Sequence, residues 1–121
     1  MAGIIAPQIL GSQEEAQLKK AAVDIQQLET ALERYKLSNN VFPTTEQTLE
    51  ALVEQPTIDP IPRNYPEGGY IRRLPQDPWG NDYQILSPGE LGAIDIFSFG
   101  PDMEPGTEDD IGNWNLNDYL N

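Results

Sequence analysis

Five carboxylates crowd into nine positions, Asp102, Glu104, Glu108, Asp109 and Asp110, within the run from Phe99 to Gly112. Closing such a loop tightly brings like charges together, and each pair at ~4 Å costs about 1 kcal/mol even in water. Two states relieve that cost: the loop stays open and solvated, or a cation fills it. Calcium suits the second, because it accepts roughly 6 to 8 oxygen ligands in irregular geometry, from carboxylates, carbonyls and hydroxyls. Magnesium suits it less, since it demands octahedral geometry and keeps its waters. Gly100, Pro101, Pro105 and Gly106 supply the turns. The spacing is not that of an EF-hand. With Asp102 as first position, Thr107 falls where that loop needs glycine and Asn113 where it needs a bidentate glutamate. A glycosidase pair is the other chemistry open to crowded carboxylates, but it needs two groups ~5 to 10 Å apart across a sugar cleft. No aromatic cleft is evident in the sequence.

The chain has no Cys and no His. Disulfides, thiolate chemistry, the usual zinc ligands and the usual general base near neutral pH are therefore absent, and a hydrolytic triad is excluded. The net charge of −13 is unevenly spread. All 7 basic residues lie between Met1 and Arg73, with 10 acidic ones, whereas Leu74 to Asn121 carries 10 acidic residues and no basic one. That field repels nucleic acid and anionic lipid and concentrates cations, so no nucleic-acid partner is expected. No run of 18 apolar residues is present to span a bilayer.

The elements that must hold the acidic loop are legible upstream. The 121 residues suit a single domain, 1–121. Leu18, Ala21, Ile25, Leu28, Leu32 and Tyr35 step by three and four, one stripe of a helix. Lys19, Asp24, Gln27, Glu33 and Arg34 are assigned to its opposite face. The amphipathic helix is expected over 11–38, with Ser12 and Glu15 as a capping-box pattern and Asn39-Asn40 as the stop. Ile4, Ile5, Ile9 and Leu10 suggest that an apolar helix continues upstream, with 1–10 as its remnant. A second helix is expected over 43–55, with Thr44 as N-cap and Gln47 completing its capping box. The proline-rich stretch 56–82 reads as a loop, ordered because it carries Tyr65, Tyr70, Ile71, Leu74 and Trp79. A hairpin follows over 83–99, turning at Ser87-Pro88-Gly89-Glu90, then the acidic loop 99–112. A third strand is expected around Asn113 to Leu116 with Trp114 packed inward. Two helices and a small antiparallel sheet make an α+β domain.

Several segments occur together in a family order: Tyr35-Lys36-Leu37, Phe42-Pro43-Thr44-Thr45-Glu46-Gln47, Asp77-Pro78-Trp79-Gly80, Gly100-Pro101-Asp102 and Asp109-Asp110-Ile111-Gly112-Asn113-Trp114. The chain resembles the major, or G-type, pseudopilins of bacterial type II secretion. The resemblance implies a type IV pilin-like fold, a long N-terminal helix plus a second short helix packed on about three antiparallel strands with long ordered loops. It implies no enzyme activity. It implies a precursor cleaved by a prepilin peptidase and methylated, a single-pass anchor in the inner membrane, and this domain in the periplasm. Ile4-Ile5-Ala6-Pro7 would be the last turn of the membrane segment, Pro7 its kink, Met1 a consequence of trimming, and the trimmed domain soluble.

The resemblance further implies a bound calcium ion. Asp102, Asp109 and Asp110 would give carboxylates, Thr107 a hydroxyl, and Phe99 and Glu104 backbone carbonyls. Met103 and Thr48 stand where many relatives carry glycine; Met103 is expected to strain a turn, Thr48 merely to add a side chain to a helix. The implied partners are further copies in a homopolymer, the pseudopilus, with other pseudopilins and inner-membrane secretion components. Lateral contacts are expected to pair Glu29 and Glu33 with Arg72 and Arg73 of a neighbour. The alternatives are a soluble calcium-dependent adhesion or binding module, and a minor pseudopilin or type IV pilin. The apolar stub at 4–10 disfavours the first. The absence of a Cys pair and the presence of the acidic cluster disfavour the second.

Overall fold

The computed structural model of the chain describes residues 2–100 and 111–120, with residues 2–12 and 118–119 as backbone only. Helix α1, Ala2–Asn39, is unbroken and longer than the expected amphipathic segment. Its apolar stripe does what the spacing predicts: Ala21, Ile25, Leu28, Leu32 and Tyr35 are buried, joined by Ala22 and Ala31. The stop also falls where expected. Asn40 adopts φ 68°, the left-handed conformation Asn tolerates, and its N–H donates to the Lys36 carbonyl at 2.6 Å.

One residue assigned to the polar face is not there. Asp24 is 8% exposed, facing the sheet, where the Tyr83 hydroxyl donates to its Oδ2 at 2.7 Å. Lys20, one turn earlier, pairs with the same oxygen at 2.7 Å. A buried carboxylate is tolerable when paired and hydrogen-bonded; helical spacing supplies the Lys20 pair, and the Tyr83 bond comes from a residue that helical periodicity does not couple to it.

The second short helix is a single 3-10 turn, Leu49–Leu52, not a helix over 43–55. The capping box does form. The Gln47 N–H donates to Thr44 Oγ1 at 3.1 Å and the Thr44 N–H to Gln47 Oε1 at 2.9 Å. It closes one turn only, because Thr48 turns the chain at φ 63°, ψ −179°. That region is almost exclusive to glycine. Thr48 is therefore no mere helical side chain; it sits at a strained junction, its hydroxyl accepting from the Glu50 N–H. Leu49, Ala51 and Leu52 plug the core beside α1.

The proline-rich stretch is held by side chains that satisfy its backbone, as loops in compact domains require. Gln47 Nε2 donates to the carbonyls of Ile58 and Pro60, and the Tyr65 hydroxyl to that of Ala51. Asn39 Oδ1 accepts from the Asn64 N–H, and Arg34 donates to the Tyr70 carbonyl at 2.9 Å. Gly69, at φ +79°, passes so close to the 3-10 turn that a Cβ would lie 2.6 Å from the Leu52 carbonyl. Tyr65, Tyr70, Ile71, Leu74 and Trp79 all pack against the core, which matches the expected ordered loop.

The sheet has three antiparallel strands in sequence order, β1 (Gln84–Leu86), β2 (Asp95–Ser98) and β3 (Ile111–Gly112). In the β1–β2 hairpin Ile85 pairs with Ile96. The connection is tied by Asp95, whose carboxylate accepts from the N–H groups of Glu90 and Leu91. β3 falls earlier than expected and Trp114 does not pack inward. Ile111 and Gly112 pair with Ser98 and Phe97, which puts Ile111 in the core and carries Trp114 to the outer face. There it is 42% exposed, beside Phe97 with ring centroids 6.0 Å apart. A Cβ on Gly112 would collide with the indole ring. Helix α1 packs on β2, β3, the 3-10 turn and a terminal turn, α2 (Asn117–Leu120).

Candidate metal centre and contact residues

The acidic loop is a hairpin connection whose two ends meet. Ser98 is the last residue of β2 and pairs directly with Ile111, the first of β3. Everything between them leaves and returns at one point of the sheet. Of the expected metal ligands, Phe99 lies within the described residues, part-buried with its ring 5.9 Å from Phe97. Asp102, Glu104, Thr107, Asp109 and Asp110, and Met103 with them, lie outside the described residues. Among the described residues no group of three or more Asp, Glu, His or Cys could hold a metal ion. The expected donor set is entirely oxygen, which fits calcium and not a soft or borderline metal.

The base of the loop is built by a residue that stands out in the sequence only as part of the Asp77-Pro78-Trp79-Gly80 segment. Asp77 is 4% exposed. Its Oδ1 accepts from the N–H groups of Trp79 at 3.1 Å and Asn81 at 2.8 Å, the Asx-turn geometry that Asp-Pro-x-Gly favours. Its Oδ2 accepts from the Ser98 hydroxyl at 2.8 Å. Ser98 Oγ in turn accepts from the Gly100 N–H at 3.1 Å. The turn is legible from the dipeptides Asp-Pro and Trp-Gly; the bond to Ser98 has no local signal.

Tyrosine hydroxyls line the seams between layers. Burial, with the hydrogen bond to Asp24 next, pushes the Tyr83 hydroxyl well above its ordinary range. Burial first, then the neighbouring hydroxyls of Tyr35 and Tyr70, raises Tyr65 to about 12. Burial also raises Tyr35. All three stay neutral at physiological pH, and Tyr65 and Tyr83, which donate to the Ala51 carbonyl and to Asp24, serve as fixed links and not as proton-transfer groups.

The expected contact residues form no ion pair among the described residues. Lys20 with Asp24 is the only ion pair among the described residues. Glu33, Arg72 and Arg73 are exposed. Glu29 is part-buried and accepts from Asn113 Nδ2 at 3.3 Å. Asn113 is itself pinned to β2, its side chain bonded to the Ile94 carbonyl and the Ile96 N–H. Among the described residues, Glu29 is thus held from the sheet side and Glu33 has no ion pair.

Comparison with known proteins gives a consistent result. The sequence profile of the family described as type II secretion system (T2SS), protein G, matches residues 8–114. The chain is 62% identical over 116 residues to the type II secretion system core protein G of Pectobacterium carotovorum, covering 96% of this chain and 74% of that protein. It is 60% identical over 119 residues to the core protein G of Aeromonas hydrophila, covering 98% and 83%. Among solved structures, it is similar to the major pseudopilin from the type 2 secretion system of enterohaemorrhagic Escherichia coli. The TM-score is 0.84 at 59% identity, over 88% of this chain and 90% of that one. With one long helix on a three-stranded antiparallel sheet, the chain belongs to the type II secretion system protein G family, a family of structural pseudopilins and not of enzymes.

Proposed function

We propose that the chain is the repeating subunit of a periplasmic pseudopilus, a filament that grows from the inner membrane and drives folded proteins across the outer membrane. The observation that carries the reading is family membership over nearly the whole chain, joined to a helix of 38 residues. That helix far exceeds the ~8 to 20 residues usual in a small domain, and its N-terminal part extends past the core it covers. No helix among the described residues is long and apolar enough to cross a membrane. The membrane anchor, prepilin-peptidase processing and methylation of a precursor belong to the proposal, as do contacts with other pseudopilins and inner-membrane components.

Lateral contacts pair Glu29 and Glu33 of one copy with Arg72 and Arg73 of the next. Glu33 and both arginines are exposed and form no ion pair among the described residues, which supports the assignment. Exposed pairs contribute only ~0 to 1 kcal/mol each, so they set register more than strength. Glu29→Arg and Arg72→Glu singly should abolish assembly and together restore it; a double variant that stays monomeric where wild type polymerises removes the pairing.

Calcium acts as a structural staple in the loop 99–112, held by Asp102, Asp109, Asp110, Thr107 and the carbonyls of Phe99 and Glu104. It binds the folded state and stabilises it by mass action. Paired loop ends at Ser98 and Ile111 support this, because a segment that carries five carboxylates in nine positions starts and finishes at one point of the sheet, and a divalent cation relieves the repulsion among like charges. The deciding measurement is thermal unfolding in millimolar calcium, in magnesium and in chelator. A calcium-specific rise that Asp109→Ala abolishes is expected. Identical melting in all three solutions leaves an uncoordinated acidic loop.

A further inference from the structure

We propose that Trp114 seats a guanidinium between neighbouring copies: the exposed part of its indole takes one arginine of the Arg72-Arg73 pair of a second copy, while the other arginine meets Glu29 across the same edge of the sheet. The inference rests on the lateral contact proposed above and adds to it an aromatic residue that charge pairing alone does not name.

Strand β3 lies at an edge of the sheet, and strand addition there is blocked. The Asn113 N–H donates to the Ile96 carbonyl at 2.9 Å, so in the antiparallel alternation the N–H and C=O of Gly112, one residue earlier, face the open side. Asn115 takes both. Its Oδ1 accepts from the Gly112 N–H at 2.9 Å, and its own N–H donates to the Gly112 carbonyl at 3.1 Å. An edge blunted in this way does not template another strand, so a neighbour meets it through side chains. Consecutive residues set out two such groups. Asn113 Nδ2 holds Glu29 Oε2 at 3.3 Å on the helix side, and Trp114 lies on the outer side, 42% exposed. Its six-membered ring occupies the space over Gly112 that a Cβ would need, and the Phe97 ring stands beside it at 6.0 Å between centroids. The indole is thus braced by the strand and by Phe97, with the rest of its surface open to solvent.

Charge selects what covers it. After Arg73 the chain has 10 acidic residues and no basic one, so the field around Trp114 draws cations, and a cation from this chain must come from its first 73 residues. Three of the seven basic side chains have partners among the described residues: Lys20 on Asp24, Arg34 on the Tyr70 carbonyl and Lys36 over the Phe42 ring. Of the rest, Arg72 and Arg73 stand as consecutive arginines, both exposed and without an ion pair among the described residues. A planar guanidinium stacks on aromatic faces, best on indole, and Trp and Arg are both enriched among the residues that dominate interface energetics. Two consecutive arginines can straddle the edge, one against Trp114 and one against Glu29. The contact joins different surfaces of the two copies, the β3 edge of one and the proline-rich stretch of the other. A heterologous contact of this kind propagates into an open filament when its rotation does not close, whereas an isologous one stops at a dimer.

The test uses filaments of the membrane-anchored subunit that carries this domain. Trp114→Leu keeps an apolar side chain and removes the π face. It should leave the thermal transition of the domain in place and raise the concentration needed for assembly ~2- to 30-fold, the effect of losing one cation–π contact. Trp114→Phe, with a weaker π face, should fall between the two. The chain has no cysteine, so cross-links report single positions. Copies bearing Trp114→Cys, co-assembled with wild type and with copies bearing Arg72→Cys or Arg73→Cys, should be joined by a short bismaleimide, and each variant co-assembled with wild type alone should not. Glu29→Cys against the same two arginine positions reports the lateral contact itself. Linkage from position 29 with none from position 114 overturns the inference and leaves the lateral contact intact, as does wild-type assembly of a folded Trp114→Leu variant. Linkage from neither position overturns both.

Discussion

Helix α1 and the stretch from Phe42 to Asp82 are stabilised by opposite means. The helix is regular and satisfies its own backbone, so its attachment to the sheet is chiefly apolar, through Ile25, Leu28, Leu32 and Tyr35. The long stretch has one 3-10 turn, and its backbone groups find partners in buried or half-buried polar side chains: Gln47, Asn39, Tyr65 and Asp77. In the first region the loss of volume should cost most. In the second it should be the loss of a particular donor or acceptor, because an orphaned buried polar group costs its full desolvation.

The strongest challenge to this contrast is Leu32→Ala, which opens a cavity under the C-terminal part of the helix at a fully buried position. Unfolding in urea should show a loss of ~2 to 5 kcal/mol; a loss under about 1 kcal/mol would mean the helix is not held by its stripe. Gln47→Ala should cost ~1 to 3 kcal/mol by freeing the carbonyls of Ile58 and Pro60 and opening the capping box. Its signature is local. Proteolysis around 56–62 should accelerate well before the helix loses amide protection, and uniform loss of protection would dissolve the distinction between the regions.

Alkaline pH addresses two buried tyrosine links, one within the long stretch, from Tyr65 to Ala51, and one onto the helix, from Tyr83 to Asp24. Tyr65 rises to about 12 and Tyr83 is held still higher, against 10.0 unperturbed. Raised folded-state values mean that the unfolded chain loses its phenolic protons first. The stability these groups contribute is whole below about pH 10 and drains away as pH climbs through 12. Tyr83→Phe should flatten that decline in a urea midpoint series from pH 9 to 12. The smallest effect is expected from Thr48→Gly. It relieves a backbone conformation worth ~1 to 3 kcal/mol of strain but forfeits the hydroxyl bond to the Glu50 N–H, so the net should be a stabilisation of about 1 kcal/mol or less. A destabilised variant would show that the hydroxyl outweighs the strain.

How far the sequence could be read follows the same division. The stripe on α1, its stop at Asn39-Asn40, the ordered aromatic loop and the hairpin were legible because each depends on spacing or on residues a few positions apart. The capping box at Thr44 and Gln47 was legible too, yet it misled. It predicts a helix start and says nothing of Thr48 leaving helical space next. For the candidate site, the acidic cluster and its oxygen chemistry stand in the sequence, whereas the contacts expected of Glu33, Arg72 and Arg73 lie between copies and have no signal within one chain. The inward Trp114 failed because a two-residue strand sets parity by pairing with β2, and a strand so short carries no alternation to read.

What the sequence determined by itself was the family, through segments such as Asp77-Pro78-Trp79-Gly80 kept in order, and the apolar periodicity that dictates where a helix can bury a face. Only the tertiary structure decided which polar residues go inside. Asp24 meets Tyr83 across 59 residues, and Asp77 meets Ser98 across 21. A carboxylate is buried only where distant donors converge on it, and that convergence exists once the helix, the loop and the sheet have packed together.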